Sequence, residues 1–155
     1  MNIVLHSSDL FSAVLAVSMV SILENNKEEQ NLNFFVIEHE ISESHKKALS
    51  IMVSKYNNAN LTFIPMPDIN NQFGLGLKMI KSIWLFDSYC RLFLGTLLPE
   101  NVERVLYLDC DTLCNGSLRE FYDTDFEDNY AAGVIDCLSD PYYELFDMDK
   151  TSRYC

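Results

Sequence analysis

The chain has 155 residues, is 48% hydrophobic and carries a formal net charge of −12. That is enough apolar material for one domain with a packed core, and a surface so acidic argues against nucleic acid or an anionic membrane as a general partner, since both are polyanions. Five cysteines (Cys90, Cys110, Cys114, Cys137 and Cys155), an odd number with no C-x-x-C spacing, suggest neither a zinc cluster nor a disulfide framework, so reduced cytosolic thiols are expected.

Residues 2–5 (Asn-Ile-Val-Leu) are predicted as a short strand, followed by a polar turn His6-Ser7-Ser8-Asp9. A largely buried helix begins there, with Ser8 or Asp9 as N-cap, and ends near Asn25-Asn26. Its apolar run, from Leu10 to Leu23, has no basic residues before it and is too short to span a bilayer. The chain is therefore expected in the cytoplasm, with peripheral contact at the inner membrane face left open. Residues 32–37 form the second predicted strand. Ser42 caps a second helix, with His45 at its third position, running to about Tyr56. A turn at 57–60 precedes a third strand at 61–64, closed by Pro65 and Pro67. Alternating strands and helices point to an α/β fold, a mostly parallel sheet with helices on both faces.

Residues 66–78 lack periodicity and contain Pro67, Gly74 and Gly76, which reads as a long loop. A helix is predicted from about Ser82 to Leu97, its apolar residues, Leu92 among them, mostly in the core. On it, Asp87 and Arg91 are four apart and can pair; alternatively the Arg91 guanidinium reaches a phosphate or a ribose. Asn115-Gly116 makes a turn and Ser117 caps a short helix through Phe121-Tyr122. Residues 130–135 read as a last strand ending in Asp136, and 138–155 as a tail of uncertain structure.

The most informative stretch is Arg104-Val105-Leu106-Tyr107-Leu108-Asp109-Cys110-Asp111-Thr112. Its apolar run suits a buried parallel strand that ends in two carboxylates one residue apart. Ligands of open α/β sheets gather beyond the carboxyl ends of strands, and in extended backbone residues i and i+2 share a side. Two carboxylates that close repel unless a cation or a shared proton intervenes. A divalent metal that also carries phosphate oxygens resolves the conflict. Cys110, between them, should point away and pack, since no base or cation lowers its pKa. His6 reads as a half-buried, hydrogen-bonded residue or a metal ligand, Asp9 as a helix cap or a ligand, and Asp136 as a turn residue or a ligand. His39 and His45 read as surface residues.

Together these segments resemble family 8 glycosyltransferases, the retaining enzymes that include bacterial galactosyl- and glucosyltransferases. The carrying pieces are residues 2–9 (Asn-Ile-Val-Leu-His-Ser-Ser-Asp), 18–23, Ser88-Tyr89-Cys90-Arg91-Leu92, where the family reads Y-x-R-L, and 104–112, where it reads V-L-Y-L-D-x-D. The resemblance implies a nucleotide-sugar-binding fold of the GT-A type over residues 1–137, as the N-terminal portion of a longer enzyme. It implies Mn²⁺ (or Mg²⁺) on Asp109 and Asp111, against the diphosphate of a UDP-hexose. Around that donor it puts His6, Ser7, Ser8, Asp9, Arg91 and the Asp109-Cys110-Asp111 segment, with Asp136 near a saccharide or cell-surface glycan acceptor. Self-association is left open.

Two other readings compete. A haloacid-dehalogenase-type phosphatase also ends a strand in Asp-x-Asp, with the first carboxylate as nucleophile. That family usually has a glycine between the second Asp and the Thr, and here Thr112 follows Asp111 directly. The other is a nucleotide-sugar-binding module without catalysis.

Overall fold

The computed structural model describes residues 1–66 and 89–134. The expected loop at 66–78 (beyond its first residue), the start of the expected helix at Ser82, Asp87, Asp136 and the tail lie outside them. The chain divides into two compact units, 1–122 and 123–155.

The first unit is built on a four-stranded sheet in the order β3-β2-β1-β4, parallel throughout. Its strands are β1 (Asn2–Ser8), β2 (Leu32–His39), β3 (Ala59–Pro65) and β4 (Leu106–Asp109). α1 (Ser12–Asn25) follows β1 through a 3-10 turn at Asp9–Phe11, and α2 (Glu43–Val53) joins β2 to β3. A 3-10 segment, Tyr89–Phe93, runs into a single turn, α3 (Leu94–Leu97), before β4, and α4 (Arg119–Tyr122) closes the unit.

The pleat sorts side chains onto the two faces. Ile3, Leu5, Phe34 and Val36 pack on one side with Leu15, Met19, Ile22 and Leu23 of α1 and Leu49 and Val53 of α2. Val4, Phe35 and Ile37 pack on the other, against Cys90, Leu94, Leu97, Val105 and Tyr107. Both faces are covered, as a parallel sheet requires.

Several sequence expectations need correction. β1 runs through His6 and Ser7 to Ser8, because the main-chain ladder to Ser7↔Glu38 and Ser8↔His39 is indifferent to side-chain polarity. Neither Ser8 nor Asp9 caps α1 with its side chain; the 3-10 turn intervenes and Phe11 stands at the cap. α1 is buried along one stripe only, leaving Val14 38% and Val17 58% exposed, and Leu10, in the 3-10 turn before it, is 82% exposed. The described part of the expected helix at 82–97 is mostly 3-10, and Leu92, expected in the core, is 70% exposed. Residues 131–134 belong to no strand, and Tyr130 and Val134 are exposed. Strand preference is realised only where a neighbour supplies the ladder.

A buried asparagine and a half-buried serine fasten the loops. Asn26 Nδ2 donates to Ile22 O at 2.8 Å and its Oδ1 accepts from Leu118 N–H at 2.8 Å, tying the end of α1 to the loop after β4. Cys114 N–H donates to Ser21 Oγ at 2.9 Å, and Asn25 Nδ2 to Cys114 O at 3.0 Å. In the second unit, Asp125 Oδ1 accepts from Glu127 N–H at 2.9 Å and Asn129 N–H donates to Phe126 O at 2.8 Å.

Candidate functional site

Strand order reverses at β1: β2 and β3 build outward on one side of it, and the chain returns to lay β4 on the other. Ligands of open α/β sheets bind beyond the carboxyl ends of the two strands that flank such a reversal. Here those ends are His6-Ser7-Ser8-Asp9 and Asp109, with His6 paired to Asp109 in register.

Asp109 is the last residue of β4, and its carboxylate is 56% exposed. The Arg91 guanidinium donates to its Oδ1 at 3.1 Å and lies 4.6 Å from the centroid of the Tyr107 ring. Tyr107 precedes Asp109 by two, so strand alternation puts both on one face. Burial and the neighbouring Cys90 push the Tyr107 hydroxyl far above its ordinary pKa, so it stays neutral. The sequence offered Arg91 either Asp87, which lies outside the described residues, or a phosphate or ribose of a ligand; its contact with Asp109 was not anticipated.

The extended backbone stops at Asp109. Thr112 N–H and Thr112 Oγ1 both donate to Asp109 O, at 3.2 and 2.8 Å, closing a tight turn over Asp109–Thr112. That turn, rather than strand alternation, sets the direction of Asp111. Asp111 borders an open, mostly apolar groove of about 420 Å³, shared with Val14, Val17 and Ser18 of α1 and Leu113. Both carboxylates are exposed, so neither is locked into the core. Mg²⁺ and Mn²⁺ are commonly held by one or two carboxylates and complete their shells with water and phosphate oxygens, which this donor set fits. Among the described residues no cluster of three or more ligating side chains forms a closed metal cage.

Cys110 packs against the α1-side core as expected. Burial first, then the adjacent Asp111, raise its thiol pKa, which makes it a poor nucleophile. Ser7 is buried, and its hydroxyl donates to Ser8 O at 3.2 Å, so that side chain faces inward. Asp9 is turned toward α2: its Oδ1 accepts from Ser42 N–H at 2.8 Å and meets His45 Nδ1 at 2.7 Å. These contacts, the Ser42 bonds foremost, lower the Asp9 pKa. Ser42 caps α2 as expected, its Oγ accepting from His45 N–H at 3.5 Å. Sequence reasoning missed Tyr107 and His45. The period-2 spacing of Tyr107 and Asp109 was available as a signal; nothing local could pair His45 with a residue 36 positions away.

Residues 2–154 match the model of glycosyl transferase family 8. A Haemophilus influenzae protein named as a glycosyltransferase is 32% identical over 94% of this chain and 42% of its own length. Escherichia coli lipopolysaccharide 1,2-glucosyltransferase is 34% identical over 78% of this chain and 34% of its own. The galactosyltransferase LgtC, solved with donor and acceptor sugar analogues, superposes with a TM-score of 0.79 at 27% identity, over 99% of this chain and 54% of its own. The bifunctional glycosyltransferase WbbM shares the fold, with a TM-score of 0.76 at 23% identity. The chain thus spans about half or less of the length of these relatives, and its sheet is the GT-A sheet that the resemblance implied. With a family match across nearly its whole length, the chain belongs to glycosyl transferase family 8.

Proposed function

We propose that this domain binds a UDP-hexose through Mn²⁺ or Mg²⁺ and serves the transfer of the hexose, with retention, to a hydroxyl of a saccharide or cell-surface glycan. The observation that carries the reading is the Arg91–Asp109 pair at the strand-order reversal, with Asp111 two residues on. Family membership sets aside the phosphatase reading of Asp-x-Asp. The named activity of the lipopolysaccharide glucosyltransferase supports a sugar donor and a glycan acceptor, and a cytoplasmic setting accords with five cysteines spaced in no disulfide-like pattern.

Asp109 and Asp111 hold the divalent ion, which when bound neutralises charge growing on the departing diphosphate. Arg91 supplies a planar, permanently charged fork for phosphate oxygens. Its exposed pairing with Asp109 is worth at most about 1 kcal/mol, so exchanging that partner for a phosphate costs little. The main chain of Ser7 and Ser8, with Asp9 beyond them, borders the nucleoside end of the donor. His6 and Cys110 contribute backbone and packing to the same rim, and Asp136 is assigned to the acceptor side from the family resemblance.

Calorimetric titration of UDP with and without Mn²⁺ tests this. The wild-type chain is expected to bind only with the metal, and Asp109→Ala/Asp111→Ala to abolish binding. Binding that needs no metal and survives the double substitution overturns the reading. Incubation with UDP-glucose or UDP-galactose and detection of free hexose then separates a catalytic domain from a binding module.

A further inference from the structure

The start of α2 carries a capping arrangement with one component borrowed from another element. In an ordinary capping box the N-cap side chain accepts from the N3 N–H, and a Glu or Gln at N3 reaches back to the N-cap N–H. Here Ser42 performs the first half, accepting from His45 N–H. The N3 residue is His45, which does not reach back to Ser42. The N-cap N–H is taken by Asp9, from the turn after β1, at 2.8 Å. His45 Nδ1 meets the same Asp9 oxygen at 2.7 Å. A carboxylate at a helix N-terminus is also favoured by the helix dipole. A second anchor lies beside it: Glu38 Oε2 accepts from Ile41 N–H at 2.9 Å and its Oε1 from Lys46 Nζ at 2.8 Å, so the helix end that Asp9 grips is itself held to β2.

We propose that His45 is a positioning residue for the nucleotide. By holding Asp9 Oδ1, it fixes the turn between β1 and α1 in the shape that receives the nucleoside and leaves Asp9 Oδ2 for a ligand hydroxyl or base N–H. This rests on the proposed UDP-sugar reading of the same rim. His45 acts through Asp9 and has no contact with Arg91, Asp109 or Asp111 among the described residues. The clamp therefore governs the nucleoside half of the donor and not the diphosphate half.

That asymmetry makes the test. Titrations of the full chain with UDP and with inorganic pyrophosphate, both with Mn²⁺, are compared for wild type, His45→Ala and His45→Asn, with melting temperature recorded for each. If the unclamped turn is correctly shaped about a tenth of the time, apparent UDP affinity falls about tenfold. His45→Ala is expected to show that loss with pyrophosphate binding unchanged. His45→Asn, whose amide N–H lies where the imidazole Nδ1 does, is expected to restore UDP affinity. Wild-type UDP binding that His45→Ala leaves intact, or an equal loss for UDP and pyrophosphate, overturns this inference alone. Failure of the wild-type chain to bind either ligand overturns the proposed function, and this inference with it.

Discussion

Arg91 and Asp109, eighteen residues apart, meet through a 3.1 Å hydrogen bond at the end of β4, with the guanidinium stacked 4.6 Å from the centre of the Tyr107 ring. The ring and the carboxylate hold the guanidinium from two sides, so one cation stands over the strand end that carries the first acidic residue. Because both charges are partly solvated, the pair is a poor source of stability and a good source of orientation.

Arg91→Ala is accordingly expected to leave the denaturation midpoint nearly unchanged, with a cost of about 1 kcal/mol or less. It should weaken UDP binding in the presence of Mn²⁺ by about 10- to 100-fold, the range for losing a hydrogen bond to a charged group. Arg91→Lys is expected to recover part of the affinity, since the charge is kept and the planar fork lost. Chemical denaturation paired with calorimetry checks both halves; a large stability loss with unchanged affinity would show that the pair is a strut.

Asn26 should behave in the opposite way. It is 3% exposed, and both of its amide atoms bridge α1 to itself and to the loop after β4. Asn26→Ala strands Leu118 N–H in a partly buried place and is expected to cost about 2–3 kcal/mol, read as a lowered urea midpoint with an unchanged slope. A cost within experimental error would mean that water replaces the amide.

Glu38 gives a pH dependence. Burial works to raise its pKa, but the Lys46 ammonium and the Ile41 N–H more than offset that, and the net shift is downward. A carboxylate lowered in the folded state contributes stability that is complete above its unfolded value and is lost as pH falls through the lowered folded value. The stability gap between wild type and Glu38→Gln should therefore be full at neutral pH and close below the ordinary glutamate range. Thermal melts across pH 3–7 measure it; a gap independent of pH would remove the ionic part of the contact.

Glu40 sits between β2 and α2 with φ 54°, in the left-handed region that costs a side-chain-bearing residue about 1–2 kcal/mol. Glycine adopts that conformation without the penalty. Glu40→Gly is expected to raise the melting temperature slightly, by about 0.5–1 kcal/mol of added stability once the greater freedom of the unfolded glycine is counted. A drop in melting temperature would show that the Glu40 side chain contributes more than its backbone costs.

The first three strands and two helices in their order, the parallel sheet, the Ser42 cap and the strand ending in Asp109 were legible from residues alone, because each depends on local pattern: apolar runs, period-2 and period-3.6 spacing, and a hydroxyl three residues ahead of a free N–H. The packing of Cys110 was likewise expected, although it sits in the turn after β4 and not in the strand. What local pattern could not supply was anything made by partners distant in sequence. The ladder to β2 turned His6 to Ser8 into strand, the absence of a ladder left 131–134 without one, and the close of β4 into a turn decided where Asp111 lies. The partners of Arg91 and Asp9 were chosen in three dimensions, since a charged side chain pairs with whichever opposite charge the folded sheet brings within reach.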